Sequence, residues 1–338
     1  ADPRASATPS DWQKRDGTRL RPGVKLPLTD ALTLEAEVST EGEDQHANYA
    51  SFGSRSDRNK DMLSFTPRLR WRHGLGGLGS ETVLGLDYYD GDVDARYSTA
   101  PRQKASQTSS AAYFQNVTSL SEAWALTLGA RSQRVEQDAH QDAYPPWCSP
   151  AVDGSARRRR NAWDLGASYS GQGWRAYGKA GTTFRFPNTD ELFGFSTILG
   201  VPVFAGDLKP QHGTIGELGG SFALGPLQGR ASLYRMQLED EIGYDGASGS
   251  NVNFDPTRRQ GFEAELDWRI VERLKVKLAY AWTDAEFRDG PYDGNRVPLV
   301  PGNKATLQLA WDAGRAGSYA ALVNYVGERR YSGDYDNV

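Results

Sequence analysis

The sequence is short of cysteine, histidine and methionine. It holds one cysteine, Cys148, so neither an internal disulfide nor a thiolate metal cage can form. Its four histidines, His46, His73, His140 and His212, are scattered, and none stands at metal-ligand spacing from another. Two methionines leave little gap-filling material for a helical core. No apolar run approaches the roughly 20 residues that a membrane helix needs. The net charge of −4 gives no reason to expect nucleic acid as a partner. No Ser-His-Asp set, paired-carboxylate site or glycine-rich phosphate loop stands out, so the sequence gives no grounds for an enzyme and none for a bound cofactor or metal. Ala1 to Arg15 lack a charged start followed by an apolar stretch, so no signal peptide is visible there.

What the chain has in quantity is alternation. From Phe262 to Arg269 the residues Phe262, Ala264, Leu266 and Trp268 fall on one face, and Glu263, Glu265, Asp267 and Arg269 on the other. Leu274, Val276, Leu278, Tyr280 and Trp282 alternate with Lys275, Lys277, Ala279, Ala281 and Thr283. Both arms are strands of one hairpin. A turn at Ile270-Val271-Glu272 would set Asp267 opposite Lys275, Glu265 opposite Lys277, and Trp268 beside Leu274. A slip of one residue would exchange the apolar and charged faces, so the pattern pins the register to that parity.

The same two-residue period recurs through the chain, giving about fourteen strands in seven hairpins. Asp61–Arg72 is a clear ribbon, interrupted by Pro67 at a predicted bulge or edge. Tight turns are expected at 27–30, 73–80, 118–121, 170–173, 224–227 and 312–317. Polar loops are expected at 42–59, 89–106, 137–158, 187–211, 243–253 and 289–301. Short connections fall on one side and long ones on the other, as in outer-membrane barrels; a soluble sandwich has no reason to sort its loops in this way. Trp71, Trp124, Trp174, Trp268 and Trp311 lie near tight turns. Trp163, Trp282, Tyr88, Tyr280 and Tyr325 lie toward the long loops. Two aromatic girdles at the lipid boundaries account for both groups. Aromatics also favour strands in general, but loop sorting and alternation agree with the girdles. The expected fold is therefore all-β, an antiparallel up-and-down transmembrane β-barrel, with outer-membrane lipid against its apolar face.

Several segments are similar to those of the TonB-dependent outer-membrane receptors. Phe184-Arg185-Phe186-Pro187-Asn188 with Glu191-Leu192-Phe193-Gly194 resembles the family's "F-R-x-P…E-L-[YF]-G" element, where a strand gives way to a loop. Leu208-Lys209-Pro210-Gln211 and Glu217-Leu218-Gly219 resemble the following "L-x-P-E…E-L-G", with Gln211 in place of the usual glutamate. Arg259-Gln260-Gly261-Phe262-Glu263 and Val297-Pro298 through Asn303-Lys304 resemble two later elements. The resemblance is strongest from Tyr177 to Tyr331. It implies the outer membrane of a Gram-negative bacterium, and uptake of a scarce large nutrient driven through TonB. A ferric siderophore complex leads the candidate ligands, with cobalamin or haem as alternatives. The lack of a histidine between Asn188 and Leu208 counts against haem. A passive porin and a barrel enzyme are the readings from other classes.

Family barrels have 22 strands and a plugged lumen, and nothing in Ala1–Asp30 resembles the plug or its TonB-contacting box. Residues 1–338 are therefore expected to be a partial barrel of about 14 of 22 strands, lacking the plug and the closing C-terminal strands. Ligand contacts in such a receptor come from the outside loops and the upper lumen. The candidates are Arg157, Arg158 and Arg159 of a basic run suited to an anionic chelate, Arg185 beside the family element, and the loop aromatics Tyr144, Trp147 and Tyr331. Asp90, Asp92 and Asp94 alternate like a partial calcium loop, but no closing glutamate follows, and a solvated loop is the simpler account.

Overall fold

The computed structural model describes residues 8–196, 201–245, 248 and 250–338. One antiparallel sheet of sixteen strands runs through them, each strand of the main path beside the next. The path begins at Trp12–Leu20 and ends at Ser318–Val326, and these two strands do not pair with each other, so the sheet is not closed. Two small hairpins stand apart from it, Phe193–Ser196 with Val201–Phe204, and Glu241–Asp245 with Ser250–Phe254.

Proline explains where the outer ladder breaks. Ser54–Phe65 stops before Thr66-Pro67 and resumes as Arg68–Leu75, both pieces pairing with Leu32–Tyr49. Pro67 has no N–H to give, yet its carbonyl still accepts from the Leu86 amide at 3.0 Å. Trp12–Leu20 and Gly23–Pro27 are parted in the same way around Pro22. Glycine closes the tight ends. Gly76 and Gly77 have φ of 60° and 83°, the left-handed pair that a two-residue hairpin turn requires.

The apolar face is bare. Leu278, Tyr280 and Trp282 are 44%, 42% and 40% exposed, and no second layer covers them among the described residues. Leu84, Leu86, Phe114, Leu128, Trp163, Leu165, Leu218, Leu233 and Val323 are exposed in the same way. Both sets of girdle aromatics are exposed as well. Side chains on the opposite face are polar and ion-paired, as at Arg68 with Glu35, Arg131 with Asp87 and Arg230 with Glu265.

Three expectations need correction. The hairpin turn is Glu272-Arg273, with a bulge between Arg269 and Val271; Asp267 faces Lys277, Trp268 faces Val276 and Arg269 faces Lys275. The register is thus two residues from the expected one. Parity is kept, so both faces are as read. Glu265 meets Arg230 of the neighbouring strand instead of Lys277. Second, much of what reads as polar loop is strand: Leu32–Tyr49, Ser54–Phe65, Leu78–Tyr97, Gln103–Ser119, Trp124–Gln141 and Val152–Gly171 carry the sheet well beyond the apolar band. There both faces are wet and alternation vanishes, although pairing continues. Third, Arg157–Arg160 consequently lie in a strand, not in a loop.

Candidate functional site

The long connection after Arg185 folds back onto the polar face, and wall side chains hold it there. Arg158 is the main clamp. Its guanidinium donates to the Leu208 carbonyl at 2.8 Å, the Gly206 carbonyl at 3.0 Å and the Gln137 side-chain oxygen at 2.7 Å. Arg160 donates to the Pro210 carbonyl at 3.1 Å. Gln137, 1% exposed, donates in turn to the Pro187 carbonyl at 2.8 Å. Planar donors meeting main-chain carbonyls suit arginine, whose fork fixes several acceptors at once.

Within the connection, Asn188 and Glu191 cap each other. The Asn188 amide donates to the Glu191 carboxylate at 2.8 Å, and the Glu191 amide donates to the Asn188 side-chain oxygen at 2.9 Å. Arg185 donates to both Glu191 oxygens, at 2.9 and 2.8 Å, and to the Ile242 carbonyl at 3.1 Å. The Phe-Arg-x-Pro…Glu-Leu element is therefore a knot that turns the chain inward, and Leu192 at its centre is fully buried. Ala205, Leu208 and Ile242 form a small apolar core beneath it. Asn253 ties the second hairpin to the end of the long connection, accepting from the Lys209 amide at 2.8 Å and donating to the Lys209 and Asp240 carbonyls at 3.0 and 2.8 Å. Gly154 leaves room for Phe204; a Cβ there would lie 2.0 Å from the ring.

At the other flank, Phe254, Phe287, Tyr292 and Tyr335 pack ring against ring at 5.3 to 6.3 Å. Asn295 and Arg296 bond the backbone of Tyr335 and the side chain of Asn337, so the last residues lie against the outer loops. Burial raises the Tyr335 phenol above its ordinary range, with Asp245 adding to the shift.

The structure separates the predicted contact residues. Arg158 and Arg185 face inward but are occupied by the clamp and the knot. Arg157 and Arg159 are on the outer wall. Arg159 stands opposite Arg134, and Arg157 opposite Glu136, on the parity of Leu128 and Trp163. Tyr144 is half-buried in the tip between Trp124–Gln141 and Val152–Gly171, and Tyr331 is 85% exposed in the segment after Ser318–Val326. The Trp147 side chain lies outside the described residues. The sequence reading missed Arg58 and Gln137, whose partners are 132 and 50 residues away and leave no local mark; Arg160 closes the basic run, but its bond to the Pro210 carbonyl does not show in the sequence. His140 sits between Asp153 at 2.6 Å and Asp142 at 2.9 Å, an ion-pair arrangement. Asp94 pairs with Arg102 and Arg96. No cluster able to hold a metal occurs among the described residues.

A bare apolar band with aromatic rims, a charged inner wall, tight turns at one end and a long connection folded inward define the wall of an outer-membrane β-barrel. Residues 2–338 match the family model described as TonB dependent receptor-like, beta-barrel, and the chain belongs to that family of outer-membrane receptors. Its place is the outer membrane of a Gram-negative bacterium. It is 26% identical over 251 residues to the iron-regulated outer membrane virulence protein of Vibrio cholerae, covering 67% of this chain and 35% of that protein. It is 31% identical over 108 residues to the ferrioxamine receptor of Yersinia enterocolitica, covering 30% of this chain and 15% of that one. The fold matches the ferric-catecholate import receptor Fiu of E. coli with a TM-score of 0.77 at 16% identity, over 95% of this chain and 55% of that structure. The siderophore receptor PiuA of Acinetobacter baumannii gives 0.77 at 14% identity, over 94% and 55%. The match thus spans about a third of the length of the Vibrio relative and less than that of the Yersinia one.

Proposed function

We propose that the chain is part of the barrel wall of a receptor that takes up a ferric siderophore complex, with energy delivered through TonB to a plug outside these 338 residues. The observation that carries this reading is the pair of relatives, one an iron-regulated outer membrane virulence protein and the other a ferrioxamine receptor. The work is transport, not bond-making, so no residue is assigned a catalytic role. Ligand contact is assigned to the outside loops carrying Tyr144, Trp147 and Tyr331. The connection held by Arg158 and Arg185 forms the floor beneath them, and those two arginines act by shaping it.

The test is iron-limited growth of a strain lacking its own siderophore receptors and expressing the full-length protein. Ferric hydroxamate and ferric catecholate complexes are supplied separately, with labelled iron counted in cells. Uptake of at least one, lost when TonB is deleted, is the expected result. Uptake of neither, with cobalamin, haem or copper taken up instead, would overturn the siderophore assignment. TonB-independent leakage of all small solutes would favour a porin.

A further inference from the structure

The outward turn of half the basic run sets arginines where lipid headgroups lie. Four cross-strand rows on the outer face fix their depth. Leu84, Phe114, Ala130 and Trp163 share one row, and Leu86, Ala112, Ser132 and Asn161 the next. Tyr88, Ser110, Arg134 and Arg159 come third, then Asp90, Thr108, Glu136 and Arg157. Rows two residues apart are about 7 Å apart along the strand. Arg134 and Arg159 therefore sit about 14 Å along the strand from Trp163, less in height because barrel strands tilt. They share their row with Tyr88, an exposed interfacial aromatic.

Within these four rows three arginines, Arg134, Arg157 and Arg159, stand against two carboxylates, Glu136 and Asp90, with Asp92 and Asp138 in the row beyond. Arg134 and Arg159 face each other directly, a like-charge pair that disfavours the sheet unless an anion lies between. Glu136 reaches Arg134 at 2.6 Å and Arg157 at 3.2 Å, so one carboxylate serves two cations. Arg159 bonds the Ser132 hydroxyl at 3.0 and 3.2 Å. Asp90, at the far end of the row, is engaged by the Thr108 hydroxyl at 2.7 Å. The three arginines border an open groove of about 700 Å³ that continues down to Leu86 and Ala112 in the apolar band.

We infer that this groove seats a phosphorylated glycolipid of the outer leaflet: the guanidinium groups of Arg134, Arg157 and Arg159 take its phosphate, and Leu86 and its neighbours take its acyl chains. A small soluble anion would gain nothing from the apolar lower half, and a chelate bound in the lumen would be on the other side of the wall. Two or more guanidinium forks on one phosphate provide bidentate, charge-assisted bonds, and the lipid boundary places the phosphate at their height.

The test uses the full-length receptor purified in detergent. Native mass spectrometry reads retention of added diphosphoryl lipid A, its dephosphorylated form, and phosphatidylglycerol. The unaltered receptor is expected to retain diphosphoryl lipid A and neither of the others. R134Q/R159Q should lower that retention by about tenfold or more, while heat-modifiable gel migration shows that the barrel is folded. E136Q removes the competing carboxylate and should raise retention. Equal retention of the dephosphorylated lipid or of phosphatidylglycerol would overturn the inference. So would unchanged retention in folded R134Q/R159Q, or no gain in E136Q.

Discussion

Arg58 and Asp190 lie 132 residues apart in the chain and meet at 2.7 Å on the inner face of the sheet. One belongs to the early strand Ser54–Phe65 and the other to the connection after Arg185, so the pair joins a distant part of the wall to the inward fold. Asp190 is 65% exposed, which limits what the pair contributes. A double-mutant cycle of R58A and D190A, read from urea unfolding in detergent, should give a coupling of about 0.2 to 1 kcal/mol. A larger value would mean the contact is drier than its exposure indicates.

Arg158 should matter more. R158A strands the carbonyls of Gly206 and Leu208 and one oxygen of Gln137 together, and should cost about 2 to 3 kcal/mol of local stability. Hydrogen exchange at residues 204–210 is the measurement, and faster exchange there with the strands unchanged is the expected result. R158K should restore little, because a lysine cannot span both carbonyls in the plane that the fork occupies.

G154A drives a methyl group into the Phe204 ring. Overpacking of this sort costs about 1 to 3 kcal/mol. Pairing it with F204A should remove the conflict, so the double variant should unfold closer to F204A than the sum of the two single effects. Additive losses would show that the ring swings aside without strain.

The two faces of the central hairpin should answer oppositely to charge. L278R places a cation on the bare apolar band and should cost about 2 to 4 kcal/mol if it lies near the bilayer midplane. K277Q on the wet face loses one exposed pair with Asp267 at 3.1 Å and should cost under about 1 kcal/mol. Folding into lipid vesicles, followed by tryptophan fluorescence, separates them; similar losses for both would count against lipid on that face.

Tyr335 gives a pH prediction. Burial holds its phenol above the ordinary value near 10, so its packed, neutral form is favoured below that value. The sign follows from linkage: the contribution is whole below the unfolded phenol's pKa and is lost as pH rises through the higher folded one. Residues 327–338 should therefore become protease-sensitive above about pH 10, and Y335F should delay that change to higher pH. Identical pH profiles for the two proteins would contradict it.

The faces, the tight turns, the break at Pro67 and the aromatic rims were legible because lipid and water impose a two-residue period where the wall meets both. Above the lipid nothing enforces it. Asp90, Asp92 and Asp94 look like loop in sequence because a strand with water on both sides needs no apolar residue, and main-chain pairing leaves no trace in composition. The bulge after Arg269 was equally silent, since Ile270 and Val271 suit a turn or a strand end. In the site, Arg185 and Glu191 were readable as neighbours, whereas Arg158 was not. Its partners are mostly carbonyls, which every residue has, reached only after the chain has crossed the sheet and returned.

The alternation also sets a rule for how such a wall can change length. Removing Ala279 alone would carry Tyr280 and Trp282 to the wet side and turn Ala281 and Thr283 toward lipid, inverting everything up to the next turn. Removing Ala279 and Tyr280 together only shortens the strand, and a bulge like that at Arg269–Val271 can take up the slack. Insertions and deletions inside these staves should therefore be tolerated in pairs, with odd-numbered changes confined to the loops.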